Sequence, residues 1–219
     1  NSYSKEDVDL TIFNKDGTEV GACGNGVRCV ASLIMEKSNM DQVNIKTISD
    51  KLKCWKTNNL LSVNMGNPKF KWYQIPLSKN INLDDFFLEG YKIHCVSFGN
   101  PHAVIFCKNK TDLENMDIKQ IGSALEKNSI FKEGANIEFA TILDDGQIRM
   151  RVWERGVGVT LACGSGACAT LVMANKNNLS PRKNNIYLDG GTLTVDWADS
   201  GNVIMTGEVE KVFEGFFYE

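Results

Sequence analysis

With 219 residues, 42% of them hydrophobic and 23% charged, the chain has the make-up of a folded globular protein and not of a disordered tail. It is long enough for one large domain or two half-size ones, and two are expected. The 24 basic and 27 acidic side chains are scattered, leaving a net charge of −3 and no basic run that could follow a phosphate backbone, so no nucleic-acid partner is expected.

No stretch approaches the ~20 apolar residues of a membrane span, and the opening NSYSKEDVDL has neither the basic nor the apolar region of a signal peptide. A soluble, cytoplasmic protein is the expectation. The seven cysteines are odd in number and match no zinc ribbon or finger, so they read as thiols in a reducing compartment, with no metal site. The chain starts at Asn1 and runs into a strand within ten residues, and is expected to lack its natural beginning.

In chain order, Val8, Leu10 and Ile12 alternate with polar residues ahead of Asn14-Lys15-Asp16-Gly17, so residues 7–13 read as a half-buried strand closed by a turn. Beyond Cys23-Gly24-Asn25-Gly26, the apolar residues Val27, Val30 and Ile34 recur at helical spacing, predicting a helix from Cys23 to about Lys37. Three strands follow in VNIKTIS, LKCWKT and LLSVNMG. Residues 67–83 carry two of the four prolines and little periodicity, which suits a connector. YKIHCVSF and HAVIFC read as strands around Gly99-Asn100-Pro101. Residues 112–128 read as one surface helix with Leu113, Met116, Ile121 and Leu125 inward. ANIEFATIL and QIRMRVW form a predicted hairpin over Asp144-Asp145-Gly146. A helix from Cys163 to about Asn175 and four short strands close the chain. The order lacks regular βαβ alternation, which favours an α+β class.

Two segments carry the same form, A-C-G-x-G: Ala22-Cys23-Gly24-Asn25-Gly26 and Ala162-Cys163-Gly164-Ser165-Gly166. Each leaves a strand and opens a helix, which implies two homologous halves. Glycines flanking a strand-to-helix turn let the backbone bend sharply and leave the first helical N–H groups open to an anion. The same helix terminus favours thiolate over thiol and so lowers the cysteine's pKa. Two such ends facing each other would hold one α-carboxylate, with a sulfur on each face of the carbon that bears the proton. One thiolate could then remove that proton while the opposing thiol delivers another. The remaining cysteines, at positions 29, 54, 95, 107 and 168, read as packing.

The segments IFNKDGTEVGACGNGVRC, GNPHAVIF, GANIEFA and WERGVGVTLACGSGACA together resemble the blocks of the diaminopimelate epimerase family, and the resemblance runs over essentially the whole chain. It implies two pseudo-symmetric domains, each a curved, mostly antiparallel sheet or barrel around a central cysteine-led helix. The first would span residues 1–67, completed by a final strand at 208–219, and the second residues 68–207. It implies a cofactor-independent epimerase that interconverts LL- and meso-diaminopimelate, in lysine and peptidoglycan precursor biosynthesis.

By the same resemblance Cys23 and Cys163 are the acid/base pair, and Gly24, Asn25, Gly164 and Ser165 hold the reacting carboxylate. Asn14, Asn100, Asn136, Glu154 and Arg155 grip the rest of the substrate, while His102 and Glu154 assist near the reacting carbon. His94, outside these blocks, reads as structural. The family's Gly-Asn-Asp-Phe segment and a later Gln have no counterpart here, and Val159 stands where the family often has Glu. A proline or hydroxyproline epimerase of the same superfamily, a thiol-redox module and an inactive fragment stay open as alternatives, as does a homodimer.

Overall fold

The computed structural model describes residues 7–13, 17, 19–20, 24–48 and 50–216. The first half contains β1 (Asp7–Asp9), β2 (Ile12–Phe13), β3 (Glu19–Val20), α1 (Gly24–Ser38), β4 (Gln42–Lys46), β5 (Lys51–Thr57) and β6 (Leu60–Asn64). β7 (Phe87–Leu88), β8 (Tyr91–Lys92), β9 (His94–Ser97) and β10 (Pro101–Phe106) follow the long connector. Next come α2 (Lys110–Asn115), α3 (Ile118–Glu126), β11 (Asn136–Ile142), β12 (Ile148–Glu154), β13 (Gly158–Thr160) and α4 (Gly164–Lys176). The chain closes with β14 (Lys183–Leu188), β15 (Gly191–Trp197) and β16 (Val203–Gly207).

One mixed sheet runs β1-β4-β5-β6-β16-β15-β14-β12-β11-β10-β9, with β13 added alongside β12. The two halves join where β16 pairs antiparallel with β6, Met205 opposite Val63. α1 packs on β4 to β6 and α4 on strands of the second half, and the two helices touch each other. α1 is amphipathic, burying Val27, Ala31 and Met35 at four-residue spacing on β4 to β6. α4 is different: every residue from Gly164 to Ala174 is buried, so it is a central helix wrapped by strands of the second half. Full burial of Leu171 and Val172 alone stabilises the fold by about 1.5–3 kcal/mol each relative to exposure.

The pleat of β11 separates two cores. Ala140 faces the main core under α4, and Ile137 and Phe139 face a second one capped by α2 and α3. Alternation therefore turns the polar residues Asn136 and Glu138 toward the α4 side, although both are buried. That placement makes the site.

Three expectations need correction. The helix over 112–128 is two helices, because Met116 is extended (φ −71°, ψ 133°) and the side chains of Asn109 and Asp117 each cap a separate start. The strand over 7–13 is broken into β1, which pairs parallel with β4, and β2, which pairs with β3. The closing strands number three among the described residues: Glu208–Phe216 carry no strand, and the strand that reaches the first half is β16. Val209 packs against the main core, while Val212, Phe213 and Phe216 beyond it stay exposed.

Candidate active site

Gly24 and Gly164 open α1 and α4, and the two helix starts meet. A Cβ built on Gly24 would sit 3.7 Å from the Gly164 Cα, and one on Gly164 would sit 3.3 Å from Asn25 Oδ1. Met205 of β16 fills the space beneath both, its Cε 2.9 Å from the Gly24 position and its Sδ 2.8 Å from the Gly164 position. A side chain at either glycine would have to displace the end of Met205. Asn25 stitches the halves: its Nδ2 donates to the Ala162 carbonyl (3.4 Å) and its Oδ1 accepts from Arg28 Nη2 (3.1 Å). Cys23 and Asn14 lie outside the described residues.

Cys163 is the N-cap of α4, in extended backbone (φ −129°, ψ 113°), and is 6% exposed. Its sulfur lies 3.7 Å from Ser165 Oγ. The sequence argument that a helix terminus lowers the thiol's pKa is outweighed here. Burial, followed by the carboxyls of Glu154 and Glu138, raises it well above the ordinary value, against the pull of the Gly166 N–H and the Ser165 hydroxyl. Cys163 is thus held as a thiol. Cys54, Cys95 and Cys168 are buried as expected, but Cys29 is exposed and does not pack in the core.

Asn100, in the turn between β9 and β10, donates from Nδ2 to Ser165 Oγ (3.5 Å) and accepts at Oδ1 from His102 Nε2 (3.1 Å). His102, 0% exposed, has its Nδ1 2.7 Å from Oε1 of Glu138, which is also 0% exposed. Glu138 was not among the expected site residues. Its position two residues after Asn136 on a strand was the signal, since both must share a face.

Asn136 locks three strands together. Its Nδ2 donates to the Pro101 carbonyl (3.3 Å) and its Oδ1 accepts the Arg155 backbone N–H (2.9 Å). Glu154 ends β12 and accepts a hydrogen bond from the Thr160 hydroxyl across the β12–β13 turn. Arg155 sets its guanidinium on the Glu133 carbonyl (3.2 Å) and carboxylate (3.7 Å). Glu126, at the end of α3, braces this turn from outside by accepting from Trp153 Nε1 (2.6 Å) and the Gly156 N–H (2.8 Å). No sequence pattern points to Glu126.

The expected residues thus fall into two groups. Gly24, Asn25, Gly164, Ser165, Cys163, Asn100 and His102 are linked around the two helix starts, while Glu154, Arg155 and Asn136 cluster at the β12–β13 turn, with Glu154 close enough to raise the Cys163 pKa. Among the described residues no group of His, Cys, Asp and Glu could hold a metal ion, and no helix is long and apolar enough to cross a membrane.

The profile of the diaminopimelate epimerase family matches residues 2–71 and 94–212. The chain belongs to the diaminopimelate epimerase family. Relatives named diaminopimelate epimerase include that of Rhodospirillum centenum, 43% identical over 95% of this chain and 72% of its own length. That of Acidiphilium cryptum is 45% identical over 94% of this chain and 75% of its own, and that of Elusimicrobium minutum 41% over 97% and 80%. Solved structures extend the fold to distant relatives. A predicted epimerase from Pseudomonas aeruginosa superposes with TM-score 0.66 at 17% identity, covering 98% of this chain and 82% of that one. A hydroxyproline epimerase from Agrobacterium vitis, solved with trans-4-hydroxy-L-proline, gives 0.61 at 14% identity over 91% and 67%. At such identities these show the α+β epimerase fold alone. Between the two epimerase classes that the sequence left open, membership of the diaminopimelate epimerase family decides.

Proposed function

We propose that the protein interconverts LL- and meso-diaminopimelate by moving the α-proton between two cysteines, Cys163 and Cys23. The observation that carries this reading is the abutment of the two A-C-G-x-G helix starts at Gly24 and Gly164 beside the Cys163 sulfur. Helix N-termini that meet leave their first N–H groups available to one carboxylate, and the negative charge that develops there in the transition state is stabilised by them.

Cys163, kept protonated by burial and by nearby carboxyls, enters as the acid, so the thiolate that removes the proton is the other cysteine's. The carbanion takes the Cys163 proton on its opposite face, and the C–H bond broken on one side is replaced by one formed on the other. The two sulfurs exchange roles, and the reverse reaction or solvent resets them. In this scheme Gly24, Asn25, Gly164 and Ser165 surround the reacting carboxylate. Asn14, Asn100, Asn136, Glu154 and Arg155 hold the distal amino acid group, with the planar fork of Arg155 suited to the second carboxylate. His102 and Glu154 tune the thiols. The chemistry draws on the chain's own groups, and a cytoplasmic location suits the six free thiols of the described cysteines.

The test is direct. The protein is given LL-diaminopimelate in D2O, and the meso isomer is separated and examined for deuterium at the inverted carbon. Formation of the deuterated meso isomer is expected, and turnover of 4-hydroxyproline with none of diaminopimelate would refute the assignment.

A further inference from the structure

A fully buried carboxyl stands behind the site with one oxygen unused. Glu138 Oε1 meets His102 Nδ1 at 2.7 Å, while Oε2, also buried, has no hydrogen-bond partner. Burying a carboxyl this way costs free energy that an apolar residue of similar shape would not, so stability alone does not explain the residue. The main core gives it no aqueous escape, since Ala140 and Val152 beside it are buried.

What Glu138 touches leads to the reacting sulfur through an unbroken line. From His102 the contacts run Nε2 to Asn100 Oδ1 at 3.1 Å, Asn100 Nδ2 to Ser165 Oγ at 3.5 Å, and Ser165 Oγ to Cys163 Sγ at 3.7 Å. An amide carbonyl only accepts, so the proton of His102 must sit on Nε2 for this line to hold. Nδ1 then accepts a hydrogen bond from the Glu138 carboxyl, and Glu138 on one side and Asn100 Oδ1 on the other hold the ring in this state.

The second helix motif makes room for the carboxyl. A Cβ on Gly166 would lie 2.7 Å from Glu138 Oε1, 3.2 Å from its Cγ and 3.3 Å from the Cys163 Cβ. The last glycine of A-C-G-x-G is therefore required where the helix start passes over Glu138.

The geometry points to Glu138 as a positioning residue of the epimerase: it fixes His102 with the proton on Nε2 and thereby orders Asn100 and Ser165 against the Cys163 sulfur. This rests on the two-thiol reading of the site and extends it by a residue that touches no substrate.

The chain has two histidines, so the ring nitrogens of His102 can be followed by long-range proton–nitrogen correlation, with a His94→Gln variant to assign the other signals. The full wild-type chain should show His102 protonated on Nε2 from pH 6 to 8. Glu138→Leu should populate both tautomers and lower kcat for LL-diaminopimelate about 10- to 100-fold, as when an orienting partner is taken from a functional histidine, with KM changed less than about threefold. Glu138→Gln, whose amide can donate to Nδ1, should restore the single tautomer and most of kcat.

A wild-type His102 with a bare Nε2 would overturn the inference. So would a folded Glu138→Leu chain with an unchanged tautomer and unchanged kcat. If the leucine variant does not fold, the wild-type spectrum and the glutamine variant decide. A wild-type chain with no epimerase activity would count against the proposed function, while the tautomer spectrum would still judge the role of Glu138.

Discussion

Replacing Gly166 with alanine adds one methyl group where three neighbours already close in. Its Cβ would stand 2.7 Å from Glu138 Oε1, short of the ~3.3 Å of a relaxed carbon–oxygen contact by about 0.6 Å. Cys163 at 3.3 Å blocks escape on the other side, so the carboxyl must give way. A shift of that size lengthens the 2.7 Å bond to His102 toward ~3.3 Å, outside the useful range. Overpacking of this kind costs about 1–3 kcal/mol, and leaving the buried carboxyl's hydrogen bond unmade about 1–2 more, giving a total of about 2–5 kcal/mol. For a chain of this size each kcal/mol moves Tm by about 2–4 °C, so calorimetry should show a loss of about 5–20 °C. The kcat should fall with it, because His102 loses its anchor. A Gly166→Ala protein that melts within a degree of wild type and turns over at the wild-type rate would refute the packing argument.

Glu126→Ala should loosen the turn that carries Glu154 and Arg155, since it removes the acceptor of both the Trp153 indole N–H and the Gly156 N–H. A fall of about tenfold in kcat/KM, equivalent to ~1.4 kcal/mol, is expected, and unchanged kinetics would show that the turn stands without it. Alkaline pH should destabilise the fold. Burial pushes Cys54, Cys95 and Cys168 up to about 12 and Cys107 to about 11, from an ordinary value of 9.0. Above pH ~9 the unfolded chain gives up these protons first, so stability is full below that point and falls as pH rises toward the folded values. A urea midpoint that stays flat from pH 8 to 10.5 would contradict this.

Much of the candidate site was legible because its helix starts rest on particular residues in particular turns. A cysteine between glycines at a strand-to-helix junction is a strong local signal, and its repetition 140 positions later, from Cys23 to Cys163, announced two equivalent helices. What could not be read was the distance between them, because the meeting of Gly24 and Gly164 depends on β6 pairing with β16, a contact between residues far apart in the chain. The sign of the Cys163 pKa shift was misjudged for the same reason. A helix terminus is visible in sequence, whereas the burial of the sulfur, and after it the carboxyls of Glu154 and Glu138, come from strands distant in the chain. The split between α2 and α3 was hidden by Met116, which is apolar at helical spacing yet sits between two capped starts. Glu138 lies on a strand that the sequence predicts, but only the strand face it shares with Asn136 marks it, and a glutamate on any strand carries that signal.

The two-thiol claim is tested most directly by running LL-diaminopimelate in D2O and stopping the reaction early, with wild type and Cys163→Ala side by side. Two opposed groups exchange the proton with solvent only on the product side. The meso isomer should therefore carry deuterium at its inverted carbon, while the LL substrate recovered at the same time keeps its hydrogen. The Cys163→Ala chain should form no meso isomer, yet still bind substrate through backbone N–H groups that the change leaves in place. Deuterated meso product from the Cys163→Ala chain at the wild-type rate would contradict the account.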